Sequence, residues 1–278
     1  MADDLEQRLL SAADHGSVDE VTAALREGAD PNARDDRERT PLKLAAARRP
    51  GQLPIVQAIL DAGADVDAQD GSRRTAVMEA ILGRDLDVLG LLLSVRPDLS
   101  IHGVLGETAL IIATSSAQRA VPLVLAAGAD PNDPDTKGKT PLMWAVDPQF
   151  HAGSGSPEMV NALVDAGAYV NNQDKDGRTA LMWSVTHDAR SMRGAVLTAL
   201  LERGATVDLR DNRGQTPLML LVTAAADENF FLSRPLVEIL IDAEADVNAA
   251  DHDGRTVLAR ASGCEELIDR LKAAGAST

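Results

Sequence analysis

The sequence predicts an all-α solenoid of stacked helix-turn-helix units linked by short hairpin-like turns. Three recurring phrases predict it. The first starts with Thr and runs into an apolar helix start: TPLKLA at Thr40, TAVMEA at Thr75, TALIIA at Thr108, TPLMWA at Thr140, TALMWS at Thr179, TPLMLL at Thr216 and TVLARA at Thr256. The second is GADPN at Gly28, GADVD at Gly63, GADPN at Gly128, GAYVN at Gly167, GATVD at Gly204 and EADVN at Glu244. The third, Asp-x-x-Gly-x-Thr, leads into Thr140, Thr179, Thr216 and Thr256. Consecutive Thr anchors lie 35, 33, 32, 39, 37 and 40 residues apart. Self-similarity at such a period is the signature of a stacked array, in which each unit buries its apolar face against its neighbours.

Each phrase has a local physical reason. Thr is a good N-cap, and Pro at the first helical position loses no hydrogen bond that a helix needs. A first helix therefore starts at each Thr. A second follows, as in IVQAILDAGA from Ile55 and MVNALVDAGA from Met159. The Gly of the second phrase stands where a helix ends on a left-handed residue. Ser17 to Glu20 and Ser262 to Glu265 have capping-box spacing. The Asp-x-x-Gly segments form the tight turns between units.

The three phrases, in this order and from about Leu5 to Ala276, resemble the ankyrin repeat. The resemblance implies an ankyrin-repeat α-solenoid that binds proteins without catalysis, through its turn tips and the concave face of its first helices. The expected organisation is a single domain, 1–278, of eight units: 5–34 as an N-terminal cap, then 35–69, 70–102, 103–134, 135–173, 174–210, 211–250, and 251–278 as a C-terminal cap. The chain departs from the family pattern at the His of its helix-start phrase, replaced by Lys43, Met78, Ile111, Met143, Met182, Met219 and Ala259. An apolar, mostly Met ladder is expected instead of the family's hydrogen bonds. Trp144 and Trp183 sit one position on and are read as packing residues whose indole N–H reaches a loop carbonyl.

Composition narrows the function classes. With 45% hydrophobic but only 2% aromatic residues, Ala, Leu and Val carry the core. The net charge of −16 argues against general nucleic-acid or anionic-membrane binding, which needs clustered cations. It permits a basic protein partner, and equally serves solubility. No apolar run approaches the roughly 20 residues of a membrane span. MADDLEQRLL has no apolar signal segment, and a lone Cys264 suits a reducing compartment, so a cytoplasmic monomer is expected. Five Lys against 22 Arg, with abundant Ala, Asp and Gly, point to a GC-rich bacterial genome.

Catalytic and cofactor motifs fail on inspection. Gly138-Lys139-Thr140 has Asp133 where a phosphate loop needs its first Gly. The Asn172-x-Asp174-x-Asp176-Gly177 run has Trp183 where a calcium loop needs its closing Glu. No His pair has zinc spacing. No metal or cofactor is expected.

The matching tip residues are the candidate binding set. Arg37, Arg39, Arg74, Lys137, Lys139, Lys175, Arg178, Arg213 and Arg255 form a cationic series in an acidic chain. Val104 and Leu105 are apolar tips, which invite a contact. The three longest intervals carry long connections between first and second helices, and these hold every Phe of the chain, Phe150, Phe230 and Phe231. Either these rings contact a partner or they fold inward over helix ends. The expected function is an adaptor or an inhibitor that sequesters a protein partner. One alternative is an immunity protein that neutralises a toxic enzyme. Another is a small-molecule binder or enzyme using the long connections, with His187, Asp188 and Arg190 convergent in a deep pocket.

Overall fold

The computed structural model describes residues 2–47, 52–147, 156–186, 193–228, 230–261 and 263–277. Among these residues the regular structure is helical, apart from one isolated antiparallel bridge between Ala250 and Thr256. The chain divides into two compact units, Met1–Thr136 and Lys137–Thr278.

The first unit contains α1 (Ala2–His15), α2 (Val18–Arg26), α3 (Pro41–Ala46), α4 (Leu53–Asp61), α5 (Ala76–Gly83), α6 (Leu86–Ser94), α7 (Ala109–Ser116), a short 3-10 turn (Gln118–Ala120) and α8 (Val121–Ala126). Here α1, α3, α5 and α7 pack in succession, while α2, α4 and α6 form a second row. The second unit contains α9 (Pro141–Val146), α10 (Pro157–Asp165), α11 (Ala180–Val185), α12 (Arg193–Glu202), α13 (Pro217–Glu228), α14 (Phe230–Asp242), α15 (Val257–Arg260) and α16 (Glu265–Ala273). Again α9, α11, α13 and α15 form one row, and α10, α12, α14 and α16 the other. First helices stack on first helices, and second on second.

Every Thr phrase caps its helix. Thr40, Thr75, Thr108, Thr140, Thr179, Thr216 and Thr256 each accept, through Oγ1, the amide three residues on, at 3.2 to 3.5 Å. Gly28, Gly63, Gly128, Gly167 and Gly204 take positive φ at the ends of the second helices, and Glu244 takes φ 63° in the copy that lacks Gly. The ladder expected in place of the family's His is buried: Met78, Ile111, Met143, Met182 and Met219 are each 2% exposed or less. Ala259, in the last copy, is exposed.

Two expectations fail. The connection from Thr223 to Pro235 is largely helix, because α13 runs on to Glu228 and α14 begins at Phe230. The run TAAADE is rich in strong helix formers, so the first helix does not stop where its shorter counterparts do. The cap of α16 is Cys264, with no side-chain hydrogen bond, so a capping box anchored on Ser262 does not start that helix. The connection after Asp147, including Phe150, and the set His187, Asp188 and Arg190 lie outside the described residues.

The turns are organised by one carboxylate each. Asp174 Oδ1 accepts the amides of Asp176 (2.9 Å) and Arg178 (2.8 Å), and Asp35, Asp70, Asp211 and Asp251 do the same in their copies. Successive turns are then joined through the backbone. Gly71 N–H donates to Arg37 O (3.1 Å) and Thr136 N–H to Leu105 O (3.1 Å) in the first unit. In the second, Lys175 donates to Lys137 O (3.0 Å), Asn212 to Asp176 O (2.9 Å) and His252 to Arg213 O (3.0 Å).

This close approach needs glycine. A Cβ on Gly177 (φ 77°) would lie 2.7 Å from the Asn212 amide nitrogen, whereas one on Gly254 (φ 77°) would meet nothing within 4 Å. Both Ala substitutions strain the left-handed backbone by about 1 kcal/mol. Gly177→Ala must also break the Asn212–Asp176 bond, so it should lower stability clearly more than Gly254→Ala. Parallel urea titrations check this, and equal midpoints would show the turn contact to be slack.

Candidate functional site

Numbering each repeat from its Thr shows how the surface is built. The residues immediately before each Thr are Arg39, Arg74, Glu107, Lys139, Arg178, Gln215 and Arg255. The residues four after it, one helical turn in, are Leu44, Glu79, Ile112, Trp144, Trp183, Leu220 and Arg260. These two series meet at the base of the turns, on the first helices. The tips stand further out.

The structure sorts the cationic series by this register. Arg37, Lys137, Lys175 and Arg213 are exposed at the tips, as are Val104 (57%) and Leu105 (71%). Arg39, Arg74 and Arg178 are only half-exposed at the base. Arg39 Nε is held by Asp35 Oδ2 at 2.7 Å. Arg74 Nε lies 3.8 Å from Glu107 Oε1 and is buried without a hydrogen bond. Arg255 is exposed, 3.7 Å from an equally exposed Asp253.

Lys139 corrects the expectation of an exposed tip cation. It is 3% exposed and ion-paired with Asp147, which is 1% exposed. Its ammonium sits 4.0 Å from the Trp144 ring centre and 3.9 Å from that of Trp183, inside the range of a cation–π contact. Trp183 Nε1 donates to Asp174 Oδ2 at 2.9 Å, so its N–H serves a carboxylate and not a loop carbonyl. Arg178 covers the Trp183 ring, its guanidinium carbon 5.3 Å from the ring centre. The two Trp residues thus carry cations, one buried and one at the surface.

Beyond Trp183 the base opens into two adjacent depressions. One, of about 470 Å³, is lined by Arg213, Gln215, Asp251, Arg255 and Arg260, among others. The other, of about 340 Å³, is lined by Arg178, Thr186, Leu220, Thr223 and again Arg213, Gln215 and Arg260. The shared residues make them one groove. Arg260 is its anchor: one guanidinium nitrogen pairs with Asp251 and the other donates to Thr223 Oγ1 at 2.9 Å. With its amide turned so that Oε1 faces Arg260, Gln215 also accepts from both, at 2.7 and 3.0 Å.

Sequence reasoning missed Arg260 and Asp147. A signal existed for Arg260: it stands at the position that holds Leu, Ile or Trp in most other copies. Asp147 is separated from Lys139 by a whole helix and carries no motif. Phe230 and Phe231 begin α14, and their side chains fall outside the description, as does Phe150 entirely. Among the described residues no group of His, Cys, Asp and Glu could hold a metal ion, and no helix is long and apolar enough to cross a membrane.

Comparison with known proteins agrees with the turn and cap geometry. No curated protein matches the chain. A family model described as ankyrin repeats, in three copies, matches residues 9–102 and 149–228. The match covers more than half of the 278 residues, and its repeats are the Thr-capped, Gly-terminated helix pairs seen here. The chain belongs to the ankyrin-repeat family.

Proposed function

We propose that this protein is a non-enzymatic protein-binding module, an adaptor or an inhibitor that sequesters its partner, acting as a cytoplasmic monomer with all eight units in one domain. Ankyrin repeats generally mediate protein–protein interaction. The observation that carries the reading for this chain is the backbone hydrogen bonding between consecutive turns, which fixes the tip residues in place before any partner arrives. A preformed surface loses little ordering entropy on binding. The net charge of −16 supports a protein partner over a nucleic acid or an anionic membrane.

The test is site-specific photo-crosslinking in cells of the source organism. A benzophenone amino acid at Val104 or Lys175 should capture a discrete partner protein. The same group at Leu86, exposed at the start of α6, should not. Capture of nothing from the tips, or the same products from all three positions, would overturn the reading.

A further inference from the structure

The groove at the base of the second unit's turns has a chemistry that the family assignment does not supply. Four arginines line it, Arg178, Arg213, Arg255 and Arg260, against two aspartates, Asp251 and Asp253, in a chain whose net charge is −16. The local sign is therefore opposite to the global one. Arg213 is exposed and has no ion pair among the described residues. Arg178 is spread over Trp183, which fixes its guanidinium while leaving its edge for an acceptor.

Arg260 fixes the wall between the two depressions. Its side chain is only 10% exposed, it lines both depressions, and its Nε is buried without a hydrogen-bond partner. Its terminal nitrogens are held by Asp251 and Thr223, so it adds fixed positive charge to the wall and is not itself a contact for the ligand. Leu220 and Ala224 lie on the same wall. They suit an apolar side chain between two acceptors, and the two aspartates disfavour a continuous polyanion.

We propose that this groove takes an acidic segment of the protein partner, with Asp or Glu carboxylates forked onto Arg213, Arg178 and Arg255, and an apolar side chain against Leu220. Arg–carboxylate pairs are the bidentate, charge-assisted contacts that give such a segment its register. The proposal rests on the protein-binding reading above and names the chemistry of the partner.

Fluorescence anisotropy of the full chain with a labelled peptide of alternating Glu and Leu tests it. Saturable binding that weakens as salt rises is expected, with no binding of the matching Lys–Leu peptide. Arg213→Glu/Arg255→Glu, both at exposed positions, should weaken the Glu–Leu peptide about tenfold or more, with an unchanged melting curve. Arg37→Glu, outside the groove, should leave it unaltered. Absence of saturable Glu–Leu binding, equal affinity in the double variant, or displacement by single-stranded RNA more readily than by unlabelled peptide would overturn the proposal. Displacement by inorganic phosphate at concentrations comparable to the peptide would do so too, by reducing the groove to a generic anion site. If the partner crosslinked through Lys175 is captured equally by wild type and double variant, the acidic-segment assignment fails while protein binding stands. If no partner is crosslinked but the peptide binds as expected, the groove stands and the protein-binding reading fails.

Discussion

Asp147→Ala should destabilise the second unit by about 3 kcal/mol or more, the usual loss when one partner of a buried ion pair is removed. Lys139 would remain 3% exposed with its ammonium between two indole rings. Those rings attract the cation but accept no conventional hydrogen bond from it. Trp144 and Trp183 are the only Trp residues of the chain and both flank the pair, so their fluorescence in urea reports on this unit directly. The double variant Lys139→Met/Asp147→Leu should recover part of the loss, because apolar groups of similar volume replace the two buried charges together. A midpoint for Asp147→Ala close to that of the native protein would show that water reaches the pair.

The second large effect belongs to Lys43, which occupies the ladder position that other copies give to Met, Ile or Ala. Its side chain is 2% exposed, 2.7 Å from Asp70 Oδ2, and it also donates to Arg74 O. Asp70→Ala removes the nearer counter-charge, leaving Glu79 Oε1 at 3.9 Å, together with the carboxylate that holds the amides of Ser72 and Arg74. The first unit should lose about 3 kcal/mol, the low end for a broken buried pair because Glu79 remains nearby, measured by circular dichroism in urea. The pH dependence has a definite sign. Burial lowers the Lys43 pKa below 10.5, only partly opposed by the bond and attraction from Asp70. The unfolded chain then keeps its proton to higher pH than the folded one, so this group makes stability rise with pH between the folded value and 10.5. For Asp70, burial alone would raise the carboxyl, but the bonds from Lys43 and the Arg74 amide outweigh it and hold it below 3.8. That contribution is full above 3.8 and is lost as pH falls through the folded value. Lys43→Met should abolish the alkaline rise. An unchanged alkaline limb in that variant would refute the assignment.

The scaffold was legible because its determinants are local. Thr216 caps its helix and Gly204 ends its own for reasons contained within a few residues of chain, and the repetition of both fixes the fold. The candidate surface was legible only in outline. Arg39 and Arg255 stand at the same register as Lys139, yet Lys139 is buried because Asp147 lies a helix away and two indoles close over it. Partners brought together by stacking leave no trace in spacing. The same holds for Arg260, whose meaning depends on Asp251, Thr223 and Gln215 in two different repeats. The connection at Thr223 failed for a simpler reason: interval length says that residues have been added, not that they are irregular.

The backbone bonds between turns all point one way. Within each unit the bonded turns offer an N–H to the carbonyl of the turn before, as Gly71 does to Arg37 in the first and His252 to Arg213 in the second. Such a row has a direction, like a stack of cups, and each bonded junction presents the same donor and the same acceptor position. An added or excised repeat would therefore find matching groups on both sides of the splice. Growth or shortening of the gene by whole repeats leaves the junction chemistry intact, whereas a change of one or two residues at a tip does not.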